Sequence, residues 1–110
     1  VRARLEAERA RGARIAAYGA AAKGAVLLAL GGIGADLLDF VADGNAAKHG
    51  RLMPGARLPI RPPEALLEAR PDLTLILAWN WAEEIVAAQG AYRAAGGRFA
   101  VPLPSWREMP

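Results

Sequence analysis

The sequence contains no cysteine and a single histidine, and it has no apolar run long enough to span a bilayer. Without cysteine, disulfides and thiolate metal sites are excluded. The lone histidine, His49, has no carboxylate partner at motif spacing. It indicates neither a metal site nor a catalytic dyad, and we expect a flexible loop side chain there. No secretory or transit pattern is present, so the cytoplasm is the expected location.

The net charge is modest, at +3, and most of the positive charge comes from arginine. The arginines near the start of the chain alternate with glutamates and alanines, which favours a solvated helix face. No interleaving of aromatic and basic residues accompanies them. We therefore expect neither nucleic acid nor a membrane as a partner.

The length of 110 residues suits one domain with a single core. Short apolar runs alternate with helical segments, which predicts an α/β fold with right-handed crossovers. We expect a Rossmann-like, doubly wound parallel sheet of about five strands in the order 3-2-1-4-5, with helices on both faces. The chain begins with Val1, so we expect a piece of a longer protein. Residues 1–12 would then form a linker helix from a preceding domain, and residues 13–110 the domain itself.

The predicted elements follow from apolar runs and from the residues that punctuate them. Asp43 begins a turn with Gly44 and Asn45. Asn80 is placed at a helix N-cap, where Glu83 would complete a capping box. The predicted strands are 15–18, 37–42, 57–60, 72–79 and 99–101, and the predicted helices are 2–11, 23–30, 62–69 and 80–95.

One stretch organises the chain: a buried strand, a turn of small residues and the start of a helix. Gly19, Ala21 and Gly24 have the spacing of the dinucleotide-binding fingerprint, with alanine at its second glycine. Small residues there allow a sharp turn, a close approach to a phosphate and tight packing of helix on strand. Close packing alone explains the pattern equally well. A P-loop is not indicated, because Ala25 and Val26 stand where Lys and Ser or Thr must follow.

The carboxyl edge of the predicted sheet gathers the candidate binding residues. Lys23 opens a helix, where a cation opposes the helix dipole unless an anion is bound nearby. Asp43 stands at the ribose-binding position, and it is equally well explained as a turn residue. Trp79 and Trp81 would either stack on a nucleotide base or pack against other side chains, as tryptophans in cores and interfaces do. Asn80 is better explained as a cap than as a ligand contact.

Several stretches together resemble the C-terminal domain of S-adenosylmethionine-dependent C-methyltransferases that act on nucleotide-linked deoxysugars. These stretches are Ala17–Gly24, Asp39–Asn45, Lys48–Gly55, Leu58–Ile60, Leu77–Asn80 and Gly96–Pro102. The sequence departs from the family pattern at Gly44, which replaces a typical Arg, and at Ala46–Ala47, which replaces a Pro-Tyr-like pair. Contacts made from those positions are not carried over.

The resemblance implies an enzyme with an N-terminal zinc-binding domain, a central methyl-donor domain and this C-terminal domain. S-adenosylmethionine and zinc are then expected in the other two domains, with no cofactor, metal or catalytic residue here. This domain would bind the nucleotide-linked sugar and would not transfer a methyl group alone. Its expected substrate-binding residues are Tyr18, Gly19, Ala21, Lys23, Gly24, Asp43, Asn45, Trp79 and Asn80.

Two alternatives remain open from the sequence. The first is a free-standing nucleotide-binding module, such as the front domain of a sugar acyltransferase, which would open with a similar strand-turn-helix. The second is a structural or dimerising domain with a vestigial pocket, and association into oligomers is left open. Failure to bind any nucleotide would favour the second alternative.

Overall fold

A computed structural model describes residues 2–102 and 106–109, and its centre is a six-stranded sheet in the order β3-β2-β1-β4-β5-β6. The first five strands in chain order pair in parallel, and β6 pairs antiparallel to β5. This confirms the α/β class and the predicted 3-2-1-4-5 order, and it adds a sixth strand that was not predicted. The strands are β1 (Ile15–Tyr18), β2 (Val41–Ala42), β3 (Ile60–Arg61), β4 (Leu73–Ile76), β5 (Arg98–Val101) and β6 (Arg107–Glu108).

Five helices in the described residues cover the two faces of the sheet, as predicted. On one face, α1 and α2 contribute Leu5 and Leu28 to a core. On the other face, α3, α4 and α5 contribute Leu66, Ile85 and Tyr92 to a second core. The helices are α1 (Arg2–Ala10), α2 (Ala22–Gly31), α3 (Ala65–Ala69), α4 (Ala82–Ala88) and α5 (Gly90–Ala94). That α1 links to a preceding domain stays a prediction, although Leu5 makes it part of this core.

Two predicted strands are much shorter than expected. In the segment 37–42, the N–H groups of Leu37 and Leu38 donate to the carbonyl of Gly34 and form a turn. Hydrogen bonds to β1 begin at Asp39, and β2 itself comprises only Val41 and Ala42. Leu37 and Leu38 are buried although they lie in the turn, so the start of the apolar run indicates burial and not a strand. In the segment 57–60, Arg57 has a φ of 57°, which does not fit a strand, and β3 begins at Ile60.

The chain after β4 also differs from the prediction. The strand ends at Ile76, and Trp79–Trp81 form a single turn of 3-10 helix. Trp81, not Asn80, is the N-cap of α4, and no side chain caps that helix. The capping box of Asn80 and Glu83 is therefore wrong. The expected helix 80–95 is divided into α4 and α5 at Gln89, whose φ and ψ of −109° and 36° are not helical.

The helix predicted from Pro62 also begins later, at Ala65. The carbonyls of Pro62 and Pro63 accept the N–H groups of Ala65 and Leu66, so the two prolines form the turn that leads into α3. Pro62 and Pro63 therefore precede the helix and do not form its first turn.

Candidate functional site

A cleft of about 340 Å³ opens at the carboxyl ends of β1 and β4, the central strands of the sheet. This is the edge where open parallel α/β sheets bind ligands. Six of the predicted substrate-binding residues line it: Gly19, Ala21, Lys23, Gly24, Trp79 and Asn80. The other lining residues are Ala22, Leu77, Ala78 and Trp81.

The glycines of the turn allow three elements to approach closely. Gly19 has a φ of 110°, and a Cβ built on it would lie 2.9 Å from the Cβ of Ala78. A Cβ on Gly24 would lie 2.8 Å from the carbonyl oxygen of Gly19 and 3.0 Å from the Cβ of Leu77. Both positions therefore need glycine for packing, as the spacing predicted for the first and third small residues.

The N-terminal end of α2 forms one wall of the cleft. Ala21 is its N-cap in an extended conformation, no side chain makes a cap hydrogen bond, and the first turn contains no acidic residue. Neither the N-cap nor the first turn of α2 therefore supplies a side-chain acceptor for the N–H groups at this helix end. Such a helix end attracts anions through its N–H groups and its dipole.

A cation and an indole ring stand beside this helix end. The Nζ of Lys23 lies 5.9 Å from the centroid of the Trp79 ring, which is within range of a cation–π interaction. Lys23 is exposed, Trp79 is half-buried, and Trp81 is 64% exposed. The described residues that line the cleft include no carboxylate and no histidine. The arrangement can bind an anion and a planar ring, but its lining side chains do not form an acid–base pair.

Asp43 and Asn45 are not part of the cleft wall. One carboxylate oxygen of Asp43 accepts the N–H of Ala20 at 2.7 Å, and the other accepts the N–H of Asn45 at 2.7 Å. The side chain of Asn45 accepts the N–H of Ala47 at 3.0 Å. Asp43 thus ties the end of β2 to the glycine turn, and a ribose contact from either residue stays a prediction.

Two residues that sequence reasoning did not assign to the site also hold this turn. The Nζ of Lys48 donates to the carbonyl of Ala20 at 3.1 Å. The Nε2 of His49 lies 2.6 Å from the carbonyl oxygen of Asp43, and the ring is half-buried. His49 is therefore a loop histidine whose ring has a hydrogen-bond partner, which the sequence did not predict. No local signal predicted these contacts, because Lys48 and Ala20 are far apart in the sequence.

Tyr18 was expected in the cleft, but it does not line the cleft. Its side chain lies on the face of the sheet opposite the one that α2 covers. It packs against the second core and lines a separate groove of about 500 Å³ with Glu64 and Gln89. Burial raises the pKa of its hydroxyl above the ordinary value, and the negative charges of Asp43 and Glu64 act in the same direction. The structure therefore separates Tyr18 from the residues around Lys23.

The described part of the chain brings together no group of three or more His, Cys, Asp or Glu side chains able to hold a metal ion. The residues described here thus do not fit a zinc site. Within the same residues, every helix is too short or too polar to cross a bilayer.

The fold and the cleft define an α/β domain with a cleft at the carboxyl edge of its parallel strands. Residues 1–104 match the family described as C-methyltransferase C-terminal domain, and the chain belongs to that family. It is similar to the C-methyltransferase NovU of Streptomyces niveus, with 43% identity over 96 residues. The match covers 87% of this chain and 23% of NovU, so the chain spans less than a quarter of that relative. The family membership confirms the resemblance and removes the acyltransferase alternative.

Proposed function

We propose that this domain binds the nucleotide-linked sugar substrate of an S-adenosylmethionine-dependent C-methyltransferase. The observation that carries the proposal is the cleft, where the uncapped end of α2, the Lys23 ammonium and the Trp79 ring meet. A nucleoside-diphosphate sugar has the matching groups, namely a charged diphosphate and a planar base.

The diphosphate would lie at the N-terminal end of α2. Its oxygens would accept the N–H groups of the first helical turn and of the Lys23 ammonium, and such charge-assisted bonds are stronger than neutral ones. An anion there would also reverse the unfavourable placement of a cation at a helix start. The Trp79 ring would then be available to stack on the base or on the apolar face of the sugar.

The contribution of the domain to catalysis would be positional. Holding the sugar in one orientation lowers the entropic part of the barrier to methyl transfer. S-adenosylmethionine, bound elsewhere in the same chain, would supply the methyl group, and a base outside this cleft would remove the proton from the sugar carbon. Zinc would be held by a separate domain of the enzyme, as the resemblance to the family implies.

The test is a calorimetric titration of the full-length enzyme with a nucleoside-diphosphate sugar. We expect Lys23→Ala to weaken binding by about 1.5–3 kcal/mol, the usual range for a hydrogen bond to a charged group. Arg4→Ala is a matched control, because Arg4 is also an exposed helical cation over a tryptophan, 5.6 Å from the Trp106 ring. Arg4 does not line the cleft, and its removal should leave the affinity unchanged.

The affinity for S-adenosylmethionine should be the same in both variants and in the wild type. Equal sugar-nucleotide affinities in the wild type and in Lys23→Ala would contradict the assignment of the diphosphate to this cleft. If the wild-type enzyme bound no nucleotide at all through this domain, the structural-domain alternative would stand instead.

A further inference from the structure

The outer face of α2 is unusually apolar for a helix on a protein surface. The helix has the sequence AKGAVLLALG, in which Lys23 is the one charged residue. Surface helices normally carry polar residues on the side that faces water, and a helix that is apolar all round is normally covered. Yet Val26 is 56% exposed and Leu30 is 83% exposed.

These side chains form a line that leads to the cleft. Lys23, Val26 and Leu30 are three and seven positions apart, which places them on one side of the helix. At the cleft end stands Trp81, which is 64% exposed. We name Val26, Leu30 and Trp81 the α2 stripe. It contains three of the five exposed large apolar residues among those described; the other two are Leu52 and Leu67.

The start of the described chain lies at the far end of this stripe. The Arg2 guanidinium donates to the carbonyl of Gly32, which caps the C-terminal end of α2, and pairs with Asp36 at 2.7 Å. Chain that precedes Arg2 must therefore emerge beside the end of α2 that carries Leu30. From there, the ten residues of α2 lead over roughly 15 Å to the cleft.

We propose that the α2 stripe is the docking surface for the preceding part of the same methyltransferase chain. This chain corresponds to 23% of NovU, so a protein of that kind has ample further chain to cover the stripe. A domain tethered beside Leu30 would be present at a high effective concentration, which favours it over a second copy of the protein. The docked part would cover α2 and form the outer wall of the cleft beside Trp81.

The inference does not depend on which ligand the cleft binds, and its test uses no ligand. Leu30→Cys and Leu67→Cys are made separately in the full-length enzyme. The rate of maleimide alkylation at each position is then followed by mass spectrometry of the peptide that contains it. Leu67 is a matched control, because it is an exposed leucine on α3, which packs on the opposite face of the sheet.

In this domain alone Leu30 is 83% exposed and Leu67 is 37% exposed, so we expect faster alkylation at Leu30→Cys if nothing covers it. If the preceding part of the chain docks on α2, the order of the two alkylation rates reverses. We then expect Leu30→Cys to react about tenfold more slowly than Leu67→Cys, because its thiol is reached only when the interface opens transiently. Val26→Cys should be protected in the same way, and it replaces Leu30→Cys if that variant fails to fold.

Alkylation at Leu30→Cys as fast as at Leu67→Cys, or faster, would overturn the proposal. Protection that disappears when the enzyme is diluted from a dimer to a monomer, as measured by light scattering, would also overturn it, because a second copy would then be the occupant. Protection that persists in the monomer supports it. A failed sugar-nucleotide titration would leave these rates unaffected, so the two proposals fail separately.

Discussion

The carboxylate of Asp43 accepts the backbone N–H of Ala20 at 2.7 Å, across 23 positions of sequence. This bond joins the end of β2 to the glycine turn that follows β1. Lys48 holds the same residue through its carbonyl, which belongs to the next peptide unit. The turn that borders the cleft is thus held in position by two side chains from a neighbouring loop.

We expect Asp43→Asn to lower the free energy of unfolding by about 1–3 kcal/mol, since an amide NH₂ group cannot accept one of the two N–H donors that the carboxylate now accepts. Urea denaturation measures the change. Asp36→Asn is the control, because Asp36 is an exposed carboxylate paired with Arg2, and it should have a much smaller effect. Equal effects of the two substitutions would show that the bond to Ala20 does not stabilise the turn.

The methyl group added in Gly24→Ala would overlap the carbonyl oxygen of Gly19 at a cost of about 1–3 kcal/mol, so the variant should be less stable than the wild type. This loss should exceed the roughly 1 kcal/mol by which alanine is the better helix former. Gly90→Ala, at the start of α5, meets no atom within 4 Å and should leave the stability unchanged or raise it. A Gly24→Ala variant as stable as Gly90→Ala would contradict the close packing of α2 on the turn.

Lys23→Ala should leave the unliganded protein within about 0.5 kcal/mol of the wild-type stability. Loss of the contact with Trp79 costs about 0.5–1 kcal/mol at an exposed site. Removing the cation from the helix start relieves its unfavourable interaction with the helix dipole, which raises the free energy of unfolding by roughly 0.3–1 kcal/mol. Lys48→Ala, which loses a hydrogen bond to Ala20, should be destabilised more, by about 0.5–1.5 kcal/mol. Thermal unfolding of both variants makes the comparison, and a larger loss in Lys23→Ala would make Lys23 a structural residue.

We expect the ionisation of Tyr18 to lower the free energy of unfolding of the domain at alkaline pH. Its pKa is raised in the folded state above the ordinary value of 10.0, chiefly by burial. Above that ordinary value, the unfolded chain releases the proton while the folded chain retains it, so stability falls as pH rises. In Tyr18→Phe, unfolding free energies between about pH 8 and pH 11 should fall less steeply. Part of the slope should remain, because burial also raises the pKa of Tyr92. A slope equal to that of the wild type would contradict the assignment to Tyr18.

The centre of the fold could be predicted because its signals are local. Ile15–Tyr18 is a short apolar run fit for a strand covered on both faces, and Gly19 follows it where the chain must turn. The strand β6 could not be predicted in this way, because Arg107 and Glu108 form no apolar run and their partner is β5. The cap predicted at Asn80 failed because Asn80 lies inside the 3-10 turn Trp79–Trp81, and α4 begins only after that turn.

The candidate site was predicted in part for the same reason. The turn and Lys23 lie on one short stretch, and Trp79 follows the neighbouring central strand, so the topology brings them together. Tyr18 was grouped with them although side chains alternate along a strand: Ala17 lies in the core beneath α2, and Tyr18 faces the other core. The bonds from Lys48 and His49 depend on the path of a loop, which neither periodicity nor composition specifies.

The two edges of the sheet are short and charged, which bears on how the domain behaves at high concentration. β3 and β6 have two residues each, and Arg61, Arg107 and Glu108 are exposed. Such edges resist pairing with a strand of another molecule. Arg98 holds one edge in place through Glu108 at 3.1 Å and also binds Glu8 of α1 at 2.6 Å. A version of the domain that ends before β6 would present the backbone of β5 as a new edge, and aggregation through strand pairing is its expected defect.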